Sequence, residues 1–232
     1  MRTPILAAVT AVALAFSSAA ALAQQKIKIG FITTMSGPQG VIGGYMKDSV
    51  ELALDHLGRK VGGLETEVIY GDDQTKPDVG VQVAEEMLKK HNVDIVAGII
   101  WSNVMLAVQP VVNGAGKIMV GTNAGASPLA GAQCNELYFS TSWNNDQTPE
   151  AMGKYLQDSG VNDNYVMAPN YQAGKDMLAG FKRFYKGEVV DEAYTQVNQP
   201  DYSAEIAQLQ AGKPEAVFVF YPGGMGLSLI HI

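Results

Sequence analysis

Short apolar runs rich in Val and Ile alternate with helical patterns along most of this chain, and that alternation leaves few folds open. Residues 27–33 read as a strand. Met46, Val50, Leu54 and Leu57 then recur at i, i+4, i+8 and i+11, one face of a helix. Residues 65–70 read as a second strand, with Val79, Val83 and Met87 marking a second helix. Residues 93–100 form a third strand, Val104, Val108 and Val111 a third helix, and residues 118–121 a fourth strand. Strands joined by crossover helices have to lie parallel. Helices then cover both faces of the sheet, which accounts for the unbroken apolar run Ile95-Val96-Ala97-Gly98-Ile99-Ile100. The pattern predicts a first α/β lobe over residues 24–140.

The rhythm breaks over residues 125–136, which are rich in Gly and Ala, and a short extended piece follows at 138–142. Thr148-Pro149 predicts a helix start, with a hydroxyl at the cap and Pro in the first turn. Gly160 predicts its end. A second series follows: strand 165–168, helix 175–185 with Leu178, Phe181 and Tyr185 on one side, strand 188–194, helix 203–210 and strand 216–221. The chain crosses between lobes near residues 138–146, and the second lobe spans 141–232. It offers three strands against four, so it reads as incomplete. The closing "LSLIHI" has no cap, polar face or turn. It reads as the end of a fragment with foreign last residues, or as an apolar C-terminal strand.

The first residues carry a targeting pattern: Arg2, an apolar stretch over 5–16 broken only by Thr10, then Ala21-Leu22-Ala23 before Gln24. This reads as a secretory signal peptide, residues 1–23, cut after Ala23. The apolar run is well below the ~20 residues a membrane span needs. The formal charge of −7, without a basic cluster, argues against nucleic acid and against an anionic membrane surface. Cys134 is the only cysteine, so no internal disulfide is available, and it reads as a small buried apolar residue. His56, His91 and His231 stand in no relation to it that would suggest a catalytic thiol.

In open parallel α/β sheets, ligands bind beyond the carboxyl ends of the strands. The residues found there are Thr33 to Pro38, Gly71-Asp72-Asp73, Trp101-Ser102-Asn103, Thr122 to Gly125, Pro169-Asn170-Tyr171 and Tyr221-Pro222-Gly223. Any one Ser, Asn or Thr among them is also an ordinary cap or turn residue, and Trp101 alone could pack in the core. What distinguishes the set is that two α/β units both carry it. Ser102-Asn103 heads a helix whose free N–H groups can receive an anion such as a carboxylate, and Trp101 supplies an apolar wall. Asp72-Asp73 reads as a solvated turn, with no metal or acid/base partner.

The ordered pieces "KIKIGFITTMSGP", "VDIVAGIIWSN", "KIMVGTNAG", "APNYQAGKD" and "PDYSAEIAQLQAGKPEAVFVFYPGG" resemble the periplasmic solute-binding proteins of branched-chain amino-acid-type ABC transporters. The resemblance covers essentially the whole chain after the signal. Trp-Ser-Asn and Asn-Ala-Gly look most like members that bind aromatic carboxylates. It implies a type I periplasmic-binding fold: two Rossmann-like parallel-sheet lobes with a ligand cleft between them, the second incomplete here because such chains are considerably longer. The family's first-lobe ligand residues fall on Ser102, Asn123 and Gly125, and its second-lobe aromatics on Tyr171 and Tyr221. Gly125 departs from the amino-acid binders, which often place a Thr hydroxyl there for the ammonium. Trp101, Ser102, Asn103, Asn123, Gly125, Tyr171 and Tyr221 are therefore the candidate ligand contacts. The resemblance implies a periplasmic monomer that binds a small carboxylate, an aromatic acid or a branched-chain amino acid, and delivers it to an ABC permease. No cofactor, metal or catalytic residue is expected.

Three other functions fit parts of the pattern. A dinucleotide enzyme would share the sheet, but "SGPQGVIGG" is not G-x-G-x-x-G. A hydrolase using Ser102 would need a G-x-S-x-G elbow and a triad His, and has neither. A periplasmic sensor of the same fold is not separable from the transporter component by sequence.

Overall fold

The computed structural model describes residues 26–231; the expected signal segment lies outside them. The first sheet contains β1 (Ile27–Thr33), β2 (Lys60–Val61), β3 (Leu64–Asp72), β4 (Ile95–Gly98), β5 (Ile118–Gly121) and β6 (Tyr138–Ser140), in spatial order β2-β3-β1-β4-β5-β6. Every neighbouring pair is parallel except the short hairpin of β2 on β3. Its helices are α1 (Gly40–His56), α2 (Pro77–Glu86), continued by a π-helical turn at Met87–His91, and α3 (Ser102–Gly114). The second lobe runs α4 (Gln147–Asp158), β7 (Asp163–Pro169), α5 (Gln172–Phe184), β8 (Glu188–Thr195), α6 (Ser203–Gly212), β9 (Ala216–Val219) and α7 (Gly224–Ile230). Its sheet is parallel, in the order β8-β7-β9.

Both sheets reverse direction once. From β1 the chain first adds β3 on one side, then jumps across to add β4 on the other. From β7 it adds β8 on one side and β9 on the other. The crevice between the first and third strands of each unit is a topological switch point, where such sheets hold ligands. In the first lobe that crevice opens beside Trp101-Ser102. In the second it opens beside Tyr171 and the residues after β9.

Strand alternation builds the second lobe's two cores. Val166 and Ala168 of β7 pack with Leu178, Phe181 and Tyr185, joined by Phe218 and Phe220. Tyr165 and Met167 point the opposite way and pack with Tyr202, joined by Ile206, Leu209 and Tyr221. The largest core belongs to the first lobe and includes Ile32, Val96, Trp101, Val104 and Met119, but Tyr171, Ala173 and Met225 from the second lobe also enter it. The two lobes are thus in apolar contact.

Several sequence expectations need correction. Asp73 is not solvated: it is 0 % exposed, because the turn after β3 folds under Thr34 and Thr75. Cys134 is exposed rather than buried, since residues 131–136 form surface turns, one of them closed by Cys134 N–H on the Gly131 carbonyl. Leu57, placed on the buried face of α1, is exposed because the helix ends at His56. Helix α4 starts at Gln147 with Asp146 at the cap, not Thr148. A turn in which Gln147 N–H meets the Asn144 carbonyl brings the chain into the helix earlier. The closing apolar residues form α7 rather than a strand, with Met225 buried. Among the described residues no helix is long and apolar enough to cross a membrane.

Candidate ligand site between the lobes

A cavity of about 430 Å3 lies where the two switch points face each other. The first lobe contributes Ile100, Trp101 and Ser102 from the start of α3, and Asn123 and Ala124 from the loop after β5. The crossing segment contributes Ser142, Trp143 and Asn145, and the first turns of α4 contribute Thr148, Pro149 and Met152. The second lobe contributes Tyr171, Ala173 and Met177 along α5, and Phe218, Val219, Phe220 and Pro222 from β9 and the residues after it. None of these residues carries a formal charge.

Local backbone geometry aims α3 at this space. Gly98 and Ile99 both adopt positive φ, at 111° and 66°. Positive φ is costly for a β-branched residue, on the order of 1–3 kcal/mol. The kink is held by Ile99 N–H on the Ile32 carbonyl and by Ala124 N–H on the Ile99 carbonyl. It swings the chain off β4 so that Trp101 takes the cap position of α3 and Ser102 its first turn. The first backbone N–H groups of a helix have no carbonyl partner within it and carry its positive dipole end. Tyr171 caps α5 in the same way from the opposite lobe. With α4, three helix starts border one uncharged cavity.

Trp101 is 2 % exposed. Its indole N–H donates to Thr34 Oγ1 at 2.8 Å, and the Thr34 hydroxyl donates to Asp73 Oδ1 at 2.5 Å. The polar edge of the indole is therefore held on the protein side. Tyr171 meets the ring edge-on, with centroids 5.7 Å apart, and stacks near-parallel on Phe220 at 6.5 Å. Burial, with the Asp176 charge adding to it, raises the Tyr171 phenol above its ordinary range, so it remains a neutral donor. Ser102 Oγ accepts from Asn145 Nδ2 at 3.0 Å.

Of the seven residues expected from sequence, Trp101, Ser102, Asn123 and Tyr171 line the cavity; Asn103, Gly125 and Tyr221 do not. Asn103 is half-buried on α3, and its side-chain Oδ1 has no partner among the described residues. Gly125 lies behind the wall and borders a smaller neighbouring cavity. A Cβ on it would stand 2.2 Å from the Trp143 carbonyl oxygen, so the crossing segment fills the place where a Thr hydroxyl would sit. Tyr221 turns to the other face of the second sheet, its hydroxyl 3.0 Å from Thr195 Oγ1 and its ring edge-on to Tyr202. The sequence reading missed Phe218 and Phe220, which a period-2 reading of β9 and the residue after it puts on one face. It also missed Asn145, Trp143, Met152 and Met177, for which no local signal exists.

The periplasmic binding protein family model matches residues 26–231. The chain belongs to this family. A Leu/Ile/Val-binding protein homologue from Brucella abortus is 28 % identical over 221 residues, covering 94 % of this chain and 56 % of the relative. A solute-binding protein of an R. palustris ABC transporter, solved with benzoate, superposes with a TM-score of 0.85 at 26 % identity, covering 89 % of this chain and 58 % of that one. A Rhodopseudomonas palustris solute-binding protein solved with 3,4-dihydroxybenzoic acid gives 0.82 at 28 % identity, covering 87 % and 56 %. The chain thus spans a little over half the length of these relatives, and it has their two-lobed type I periplasmic-binding fold with a partial second lobe.

Proposed function

We propose that the protein is the binding component of an ABC importer, working as a periplasmic monomer after cleavage behind Ala23. It captures a small carboxylate between lobes 24–140 and 141–232, closes by hinge motion and delivers the ligand to a membrane permease. An aromatic acid is favoured over a branched-chain amino acid. The observation that carries this reading is the uncharged aromatic cavity bordered by three helix starts. A carboxylate is stabilised by free N–H groups and positive dipole ends. An ammonium would be desolvated there with no carboxylate among the described residues lining the cavity to receive it, which is costly.

In this reading Trp101 and Tyr171, packed edge-on, form one aromatic wall against the ligand ring, Ser102 and Asn123 donate to its oxygens, and Asn103 contributes its backbone N–H. Gly125 admits the crossing segment, and Tyr221 anchors the strand end that carries Phe220. The benzoate and dihydroxybenzoate complexes of the R. palustris proteins support the aromatic choice. The name of the Brucella abortus relative supports the branched-chain alternative. Titration calorimetry with benzoate, 4-hydroxybenzoate and leucine decides between them. Binding of either aromatic acid without a leucine response is expected; tight leucine binding with silence toward both acids overturns the choice.

A further inference from the structure

We propose that Asn145 and Asp176 are positioning residues that hold the Ser102 hydroxyl as a hydrogen-bond donor into the cavity, and so select ligands that present an acceptor there. The inference rests on the carboxylate reading above. Asp176 is 7 % exposed, and among the described residues its oxygens meet three neutral donors and no cation. Gln172 Nε2 donates to Oδ1 at 2.8 Å, and Ser127 N–H and Asn145 Nδ2 both donate to Oδ2 at 3.0 Å. Asp176 Oδ2 already accepts from the Ser127 N–H, so the Asn145 side chain turns its NH2 toward the same oxygen. The second hydrogen of that NH2 then points at Ser102 Oγ, 3.0 Å away. Ser102 is thereby fixed as an acceptor from Asn145. Its own proton has no acceptor among the described residues, and Ser102 lines the cavity, so the free direction is toward the ligand. Asp176 sits on α5 of the second lobe, whereas Ser127 belongs to the loop after β5 in the first. The same carboxylate therefore ties the lobes together, and lobe closure completes the arrangement that sets Ser102.

The test is a double-mutant cycle read by titration calorimetry with benzoate and 4-hydroxybenzoate, with benzylamine as the amine probe, alongside the melting temperature of each ligand-free variant. N145A and D176A should each weaken binding of whichever acid the wild type binds by roughly tenfold, the range of one hydrogen bond to a charged group. In an S102A background the same changes should alter affinity less than about twofold, since removed groups that act through Ser102 are no longer additive with it. D176N should keep most of the affinity, because one oxygen remains for Asn145 and Ser127 while Gln172 can rotate to accept from the new NH2. N145S replaces N145A if the latter fails to fold. Full additivity with S102A assigns the pair to packing alone and overturns this inference while leaving the carboxylate reading standing. Benzylamine bound more tightly than either acid, or no binding of either acid by the wild type, overturns both.

Discussion

Trp101 illustrates how one residue serves fold and site together. Its N–H is taken up by Thr34, so the ring offers carbon to the cavity while its edge anchors a chain that ends on Asp73. Trp101→Ala should therefore cost both: about 3–5 kcal/mol of stability for a large buried aromatic, and weaker binding of the aromatic acid. Trp101→Phe keeps the wall and should retain most of the affinity. Equal melting temperatures for wild type and W101A would contradict the buried placement. Asp73 adds a pH dependence. Burial pushes its carboxyl above the ordinary range, against the hydrogen bonds from Thr34 and Thr75, and its second oxygen has no partner among the described residues. A carboxyl with a raised folded value binds protons more tightly in the native state than in the unfolded chain, where its value is about 3.9. Its charged form subtracts from stability at neutral pH, and the loss is relieved as pH falls through the folded value toward the unfolded one. Urea unfolding should then show Asp73→Asn gaining most on wild type near neutral pH, with the gain shrinking in acid; a gain that grows in acid refutes the assignment. The sequence could not show this, because Asp72-Asp73 reads as polar on both residues and only the tertiary fold buries one of them.

At the scale of elements, helix starts decide the chemistry. Alternating apolar runs made the strands and helices legible, since parallel crossovers follow from period alone. They also placed Trp101-Ser102 and Tyr171 at strand ends, the part of the site that topology dictates. Boundaries were less legible. Thr148-Pro149 carries a strong local cap signal, yet the Asn144–Gln147 turn starts α4 two residues earlier. The wall from Trp143 and Asn145 arises from where a loop crosses between lobes, which has no periodicity to read. Tyr221 follows a strand in sequence, yet alternation along β9 turns Phe220 into the cavity and Tyr221 away. The three helix starts yield a separable prediction. Thr148 is exposed in the first turn of α4 and lines the cavity. Thr148→Asp should leave the fold intact or stabilise it by about 0.3–1 kcal/mol, because a negative charge suits a helix start. The same charge should repel a carboxylate ligand and weaken benzoate binding severalfold, more so at low salt. Benzoate affinity unchanged in T148D, measured by calorimetry at two salt concentrations, counts against an anionic ligand in this cavity.

For the whole molecule, the question is what joins the lobes around so apolar a space. Beyond the Trp101–Tyr171 contact, Gln39 forms a polar clasp. It precedes α1 in the first lobe and is 1 % exposed. Its Nε2 donates to Asn198 Oδ1 at 2.8 Å, and its Oε1 accepts from Gly224 N–H at 3.3 Å, both in the second lobe. Asn198 N–H in turn meets the Met225 sulfur at 3.3 Å, so the clasp secures the loop after β8 and the start of α7 together. Under the proposed hinge closure, ligand affinity is scaled by the fraction of molecules able to close. Removing two neutral hydrogen bonds of roughly 1 kcal/mol each from the closed form alone should shift that balance without touching the ligand. Gln39→Ala is therefore expected to raise the benzoate dissociation constant by up to about thirtyfold and to enlarge the solution radius of the ligand-free protein in X-ray scattering. Saturating benzoate should restore the compact radius, since a ligand that binds the closed form pays back the lost clasp by mass action. An unchanged dissociation constant with an enlarged radius would mean that Gln39 governs the resting geometry but not capture. An unchanged radius with weakened binding would instead place its effect inside the site, through Gly224, which Gln39 holds two residues from Pro222 of the cavity lining.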